Sequence, residues 1–331
     1  MGEFFVEGKL DLTQFYGYVG ESDADTAKVQ PTRAYYLDHQ TGKKTIVKWL
    51  GKATVRGRTS KDVIDTKGLL TLRIQWIDAP ELHFSSQLKG SHLYRQNFGI
   101  RAVDELAKHL LSVSKGKKVV RAVVRTIVYR PQEVFDTYGR CVSTLEVHLG
   151  SKVINVNDWL LKHGWALPAF YNSMTPDEVD NATQLANDAS KNGRGIWHGF
   201  SRLLQPADQY QLFYKDPKKL PTPDQDQGEF NFPKIFRRMV TYHDEKALGT
   251  TSATTLHAWL MEKEAKGTGD GVISTSDFVL DPHITSTKPF SDFITDDGKI
   301  DFDPASLVFT EADSELLDKE TRKKITAWSY S

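Results

Sequence analysis

The chain has 331 residues, 39% of them hydrophobic and 26% charged, which is enough for two globular domains with buried cores. Its single cysteine, Cys141, excludes an internal disulfide framework and a cysteine-built zinc site. No apolar run approaches the ~18 residues of a membrane span, and the N-terminus lacks the features of a signal peptide. We therefore expect a cytoplasmic protein without a membrane partner, unless a signal has been removed.

The formal net charge of zero hides an asymmetry along the chain. Residues 201–331 hold 16 Lys+Arg against 22 Asp+Glu, whereas residues 1–200 hold 27 against 21. Nine Lys and Arg fall within residues 31–70, against three Asp. A basic segment of this kind fits a polyanionic substrate, because phosphate contacts and counterion release dominate nucleic-acid affinity. A solvated hairpin face explains the same charges equally well.

The first part of the chain predicts strands. From residue 12 to residue 77, short apolar or alternating runs are separated by turn signals such as HQTGKK and DTKG. In the segment LLTLRIQW, every second residue from Leu70 to Trp76 is apolar, and Arg73 lies on the opposite face. The alternation predicts a strand with one buried face that ends close to the acidic turn IDAPE.

Three helices and further strands are predicted between residues 97 and 193. Apolar spacing places helices at about 97–114 and about 156–163. Thr175 can cap the third helix, Pro176 fits its first position, and Glu178 completes a capping box with Thr175; the helix ends at Gly193. The strands lie in KVVRAVVRTIVY and RCVSTLEVHL, the second paired with SKVINV. This order is compatible with a small Greek-key barrel of the OB type, although the pattern does not single it out.

The character of the chain changes after residue 200. The segment KDPKKLPTPDQDQGEF has the composition of a linker, and we place the linker at 201–229. Beyond it we predict a strand at 234–242, a helix at about 254–265, a β-rich acidic stretch and a final helix at about 311–327. Residues 230–331 would then form an acidic α+β accessory domain of unknown function. We expect a fragment ending near Phe200 to fold by itself.

Three separated segments carry acids and arginines suited to phosphate chemistry. They are DADT (23–26), RIQWIDAPE (73–81) and DTYGRC (136–141). Asp25, Asp78 and Glu81 offer oxygen ligands to a hard cation such as Ca²⁺. Arg73 and Arg140 offer forked donors to phosphate oxygens. Each motif alone is more often a polar turn, but together they indicate phosphodiester hydrolysis, which needs an activated water and neutralised phosphate charge.

Over about residues 12–198 the chain resembles the staphylococcal nuclease (thermonuclease) family. The resemblance is carried by DADTAKV, RIQWIDAPE, FGIRA, DTYGRCVSTLEV, VNDWLLKHGWA and NGRGIW. It implies a mainly β domain with an OB-fold five-stranded Greek-key barrel and three helices, at residues 1–200 with a basic insertion at about 31–70. It also implies cleavage of DNA and RNA that depends on one Ca²⁺ per active site and leaves 3′-phosphate ends.

The resemblance assigns the metal and the base to particular residues. Asp25 and Asp78 match the calcium carboxylates, and Ala79, which replaces a threonine, matches a backbone carbonyl ligand. Glu81 matches the residue proposed to activate or orient the attacking water. Ala24 replaces the usual glycine between the two acids, and the loop is expected to be strained if that position needs a positive φ.

The resemblance also assigns the contacts to the substrate. Arg73 and Arg140 match the two arginines on the scissile phosphate, and Tyr138 matches a tyrosine that lines the nucleotide pocket. Phe170 or Tyr171 is expected to supply a stacking aromatic ring. Cys141 is expected to be an inert core thiol.

These observations predict a calcium-dependent nuclease that hydrolyses DNA and/or RNA with little sugar specificity. Two alternatives stay open. The first is a catalytically weak nucleic-acid-binding module on the same fold. The second is a nuclease that a C-terminal partner-binding domain localises, so that a protein partner binds residues 230–331. Fold alone does not distinguish these functions.

Overall fold

The structure is a computed structural model that describes residues 1–15, 22–57, 60–91, 93–203, 213–214, 230–311 and 314–330. Most of the predicted linker at 201–229 lies outside these residues. In the described part, no helix combines the length and the apolar character needed to cross a membrane.

In the described residues, eight strands precede the first α-helix, and strands and helices are interspersed after it. The strands are β1 (Gly2–Asp11), β2 (Thr26–Asp38), β3 (Lys44–Ile46), β4 (Ala53–Arg56), β5 (Ser60–Asp62), β6 (Leu70–Ile74), β7 (Ile77–Asp78), β8 (Leu93–Tyr94), β9 (Val119–Val128), β10 (Cys141–Leu149), β11 (Lys152–Asn155), β12 (Leu167–Pro168), β13 (Phe170–Tyr171), β14 (Phe213–Tyr214), β15 (Gly271–Ser274), β16 (Lys288–Pro289), β17 (Leu307–Phe309) and β18 (Glu315–Asp318). The helices are α1 (Gly99–Val113), α2 (Val156–Lys162), α3 (Pro176–Lys191), α4 (Pro233–Ala247), α5 (Leu256–Ala265) and α6 (Thr275–Leu280).

The largest sheet contains seven strands from the first 155 residues, and five of its pairings connect β1, β2, β6, β9 and β10. Strand β1 pairs antiparallel with both β2 and β9, and β9 pairs antiparallel with β10. Strand β10 runs parallel to β6, and β6 pairs antiparallel with β2. The hydrogen-bonded pairings therefore lead from β1 through β9, β10, β6 and β2 back to β1. The result is a sheet-rich domain with helices packed around it.

The pairing of β2 with β6 brings distant parts of the sequence together. Thr26 lies opposite Arg73, and Ala27 lies opposite Leu72. The backbone N–H of Ile74 donates to the carbonyl oxygen of Asp25 over 2.8 Å. The long basic insertion between these strands forms β3, β4 and β5 without disturbing this register. The turn before β2 is therefore held against the end of β6.

The three helices predicted before residue 200 are present as α1, α2 and α3. The capping box of α3 is formed, because the N–H of Glu178 donates to the hydroxyl of Thr175 and the N–H of Thr175 donates to the carboxylate of Glu178 over 2.8 Å. The apolar stripe of α3 is buried, and the helix packs against α2 and α6. Its burial adds tertiary stability to a helix that its cap already favours.

Residues 230–330 pack closely against residues 1–200. Strand β17 runs parallel to β13, and β18 pairs antiparallel with β4 of the basic insertion. A buried aromatic cluster joins Phe230, Phe232 and Phe236 to Phe98 and Leu167. Each fully buried side chain of this size contributes about 2 kcal/mol of transfer free energy. The division at 201–229 into separate domains stays a prediction, which truncation can test.

Three elements differ from the sequence-based expectations. Residues 234–242 form part of helix α4 rather than a strand, because Ile235, Phe236, Met239 and Val240 recur at helical spacing and are buried together. The final helix expected at about 311–327 is wrong, since β18 forms there by pairing with β4. Strand β1 begins at Gly2, ten residues before the β region that the sequence predicted.

Candidate functional site

Three of the predicted site residues meet where β6 ends and β7 begins. Arg73 lies on β6, and one of its terminal nitrogens donates to the carboxylate of Asp25. The other donates to Oδ1 of Asp78 over 2.7 Å and to the carbonyl oxygen of Ile77 over 3.2 Å. Asp25 and Asp78 are only 2% and 1% exposed. Buried carboxylates of this kind require charged partners, and Arg73 supplies one to both.

Backbone donors fix the DADT turn against the IDAPE turn. The N–H of Ala79 donates to Oδ2 of Asp25 over 3.0 Å, and the N–H of Leu82 donates to Oδ1 of Asp23 over 2.7 Å. Ala24 is fully buried between these two acids, and its φ is not among the positive values. The strain expected for alanine at this position is therefore absent.

Glu81 lies in the same cluster and is held from the other side by α1. Its backbone N–H donates to the side chain of Gln96 over 3.1 Å. Gly99, the first residue of α1, approaches so closely that a Cβ there would lie 2.7 Å from the carbonyl oxygen of Glu81. A glycine at this position allows the helix to contact the backbone of the site.

The second guanidinium of the cluster comes from residue 237, which the sequence did not indicate. Arg237 on α4 donates to Oδ1 of Asp78 over 3.1 Å and to Oδ2 over 3.0 Å. It also contacts the carboxylate of Glu81. Had the helical spacing of this segment been recognised, it would have placed Arg237 beside the buried stripe of α4. It would not have shown which carboxylates Arg237 meets.

Four carboxylates face two guanidiniums in this cluster, and this arrangement shifts the pKa values of Asp23, Asp78 and Glu81. Burial would raise the pKa of Asp78, but the charges of Arg237 and Arg73 outweigh burial and lower it to about 2. Burial raises the pKa of Glu81 to about 8 against the opposing charge of Arg237, and Asp23 adds to the rise. Burial and the charge of Asp25 raise the pKa of Asp23 to about 7. Asp78 therefore keeps its negative charge, whereas Asp23 and Glu81 are the acids that take up protons near neutral pH.

The residues assigned to calcium do not fit that ion in the observed arrangement. Their carboxylate oxygens are the donor type that Ca²⁺ prefers. However, both oxygens of Asp78 already accept from Arg237, and Oδ2 of Asp25 accepts from Arg73 and Ala79. Across the residues that the structure describes, no group of three or more His, Cys, Asp or Glu is arranged to hold a metal ion. Guanidinium and amide groups therefore already engage both oxygens of Asp78 and Oδ2 of Asp25.

The predicted phosphate and nucleotide contacts of the DTYGRC turn lie outside the cluster. Nε of Arg140 donates to Oδ2 of Asp136 over 2.7 Å, and its guanidinium lies 5.6 Å from the ring centroid of Tyr138. Tyr138 is 44% exposed. Val142 of β10 lies opposite Arg73 of the parallel strand β6. Arg140 precedes Val142 by two residues and lies just before β10 begins. The turn therefore offers an exposed ring beside a paired arginine.

The two candidate stacking residues have different surroundings. Phe170 is fully buried in the main core, so its ring is not available to a nucleobase in this structure. Tyr171 is half-buried, and its hydroxyl group lies within electrostatic range of the guanidinium groups of Arg73 and Arg237. The amino group of Lys234 lies 5.5 Å from its ring centroid. Of the two residues, Tyr171 is the one placed beside the cluster.

The fold and the site define a sheet-rich domain with a buried cluster of acids and guanidiniums at the end of two strands. Residues 71–199 match the family model of staphylococcal nuclease homologues. The match begins on β6, and Asp25 therefore lies before it. The contact between Asp25 and Arg73 connects the DADT turn to the matched segment. A comparison with curated proteins found no match.

Proposed function

We propose that this protein hydrolyses phosphodiester bonds of DNA and/or RNA at the cluster of Asp25, Arg73, Asp78 and Glu81. The observation that supports it is the meeting of two separated sequence segments, DADT (23–26) and RIQWIDAPE (73–81), at one buried site, the second of them inside the range that matches staphylococcal nuclease homologues. The ring of five strand pairings supports our further proposal that this domain is an OB-type Greek-key barrel.

The proposed roles follow from the chemistry of the side chains. Arg73 and Arg140, once released from their carboxylate partners, would each present a fork of N–H donors to the oxygens of a phosphate. Glu81 would accept a proton from the attacking water, a role for which a pKa near neutrality is suited. Tyr171 would contact the nucleotide beside the cluster. The dependence on Ca²⁺ stays a prediction, and no step of this proposal passes through the ion.

Purified full-length protein tests the proposal with plasmid, single-stranded DNA and RNA, each in Ca²⁺, Mg²⁺ or a chelator. We expect cleavage, and we expect Glu81→Gln to lower turnover while nucleic-acid binding persists. Arg73→Ala is expected to lower the rate by roughly 10²–10³, as the loss of one transition-state donor does. Glu105→Gln, on the exposed face of α1, is the matched control. Well-folded protein that leaves every substrate intact would contradict hydrolysis.

A second candidate function is nucleic-acid binding without catalysis. The pairing of Arg73 and Arg140 with carboxylates favours it, because both guanidiniums are engaged within the protein. Fluorescence anisotropy with labelled oligonucleotides distinguishes the two functions: this candidate predicts salt-dependent binding and no cleavage products.

The cytoplasmic location and a protein partner for residues 230–331 stay predictions from the sequence.

A further inference from the structure

Arg237 is the one side chain from beyond residue 200 that the described contacts place inside the acid cluster. Its two terminal nitrogens contact both oxygens of Asp78 and one oxygen of Glu81. The side chain is 23% exposed, whereas Asp78 is 1% exposed. The guanidinium therefore covers the two acids on the side that faces α4.

Helix α4 is held in place at several points along its length. Its buried residues Ile235 and Phe236 belong to the aromatic cluster that both parts of the chain share. Nearer its end, Asp244 accepts from the hydroxyl of Tyr94 over 2.9 Å and from that of Ser86. A helix fixed in this way keeps Arg237 next to the acids without requiring an external partner.

The position of Arg237 has a consequence for any other cation. Asp78 uses both of its oxygens for Arg237, and Oδ1 also accepts from Arg73. A divalent ion at this place would have to take oxygens that a guanidinium already occupies, and it would lie against two like charges. Removing the charge of Arg237 would leave four carboxylates with Arg73 alone.

We propose that Arg237 is the resident cation of this site, so that a divalent ion binds Asp78 and Glu81 only after the guanidinium has left. This proposal involves the same residues as the proposed function, but it predicts the affinity of the site for a metal ion rather than its catalytic activity. It also gives the C-terminal region a role at the site, because the region controls which cation the acids hold.

Isothermal titration of Ca²⁺ into metal-free, full-length protein, without nucleic acid, tests the inference. We expect Arg237→Gln to bind Ca²⁺ at least about tenfold more tightly than the unmodified chain, since it removes both the competitor and its charge. Lys246→Gln is the matched control, because it removes a positive charge from the exposed end of the same helix. Adding Asp78→Asn to Arg237→Gln should abolish the gain and thereby locate the ion.

Equal Ca²⁺ affinity in the unmodified chain and in Arg237→Gln would overturn the inference, as would a gain that persists in the double variant. If Arg237→Gln does not fold, Arg237→Lys takes its place. A single ammonium cannot reproduce the fork, so we expect tighter binding than in the unmodified chain, and unchanged affinity would again overturn the inference. If Arg237→Gln gains Ca²⁺ affinity and the unmodified chain cuts no nucleic acid, the proposed hydrolysis is contradicted and the inference stands.

Discussion

Asp270, which directly precedes β15, is the carboxylate that anchors helix α4 and therefore Arg237. Its Oδ2 accepts from Nε of Arg238 over 3.0 Å and from Nη2 over 2.5 Å, and Lys234 lies 3.3 Å from its Oδ1. The side chain of Asp270 is 16% exposed. A pair this well covered is screened less by solvent than a surface ion pair.

The pKa of Asp270 predicts a specific dependence of stability on pH. Burial would raise this pKa, but the charges of Lys234 and Arg238 outweigh burial and lower it from 3.8 to about 2. A folded-state pKa below the unfolded value contributes stability that is present above about pH 4 and is lost as the pH falls towards 2. The full contribution is about 2 kcal/mol, and roughly half of it should be lost by about pH 3.

Urea denaturation of Asp270→Asn and of the unmodified chain measures this contribution. Near neutral pH the variant should be destabilised by at least about 2 kcal/mol, because it also leaves Lys234 and Arg238 without their counter-ion. The difference should shrink by about 1 kcal/mol between about pH 6 and about pH 3. Asp292→Asn, at an exposed carboxylate, is the control and should show no such change. A destabilisation by Asp270→Asn that is identical at both pH values would refute the reasoning.

Three further predictions concern other parts of the chain. Burial raises the pKa of the Cys141 thiol to about 12, so a thiol reagent near pH 8 should label unfolded protein and leave the native protein unlabelled; rapid native labelling would contradict this. Replacing the exposed Lys43, Lys44 and Lys48 by Gln should weaken nucleic-acid binding and flatten its salt dependence by about one unit of slope for each phosphate that is no longer neutralised. An unchanged slope would indicate a solvated face. Contrary to the expectation from the sequence, a chain ending at Phe200 should lose most of its stability. The truncated chain would expose the apolar side chains before residue 200 that are buried in the aromatic cluster. Each exposed side chain costs about 2 kcal/mol, whereas the free energy of unfolding of a domain is only about 5–15 kcal/mol. A cooperative thermal transition close to that of the whole chain would show that the first 200 residues are self-sufficient.

The sequence alone determined those elements whose signals are local. The capping box at Thr175 and the spacing of the three helices arise from neighbours within a few residues, and the structure has them. The alternation from Leu70 predicted strand β6, but the strand ends at Ile74, and Thr71 on its expected outer face is buried as well. The acids and arginines of the site could be selected because their residue types fit one chemistry. The matched segment 71–199 agrees with the family that those motifs indicated.

Only the tertiary structure decided which groups neutralise the acids. Arg73 meets Asp25 because Thr26 and Arg73 pair across strands separated by the basic insertion. Arg237 meets Asp78 because α4, which follows residue 200 in the sequence, packs against the first part of the chain. Residues 315–318 likewise form a strand because they pair with β4, which is distant in the sequence. The intrinsic preference of a residue for helix or strand differs from that of other residues by only fractions of a kcal/mol. Burial and pairing with distant segments therefore outweigh local preference, and they determine both the structure and the charge of the site.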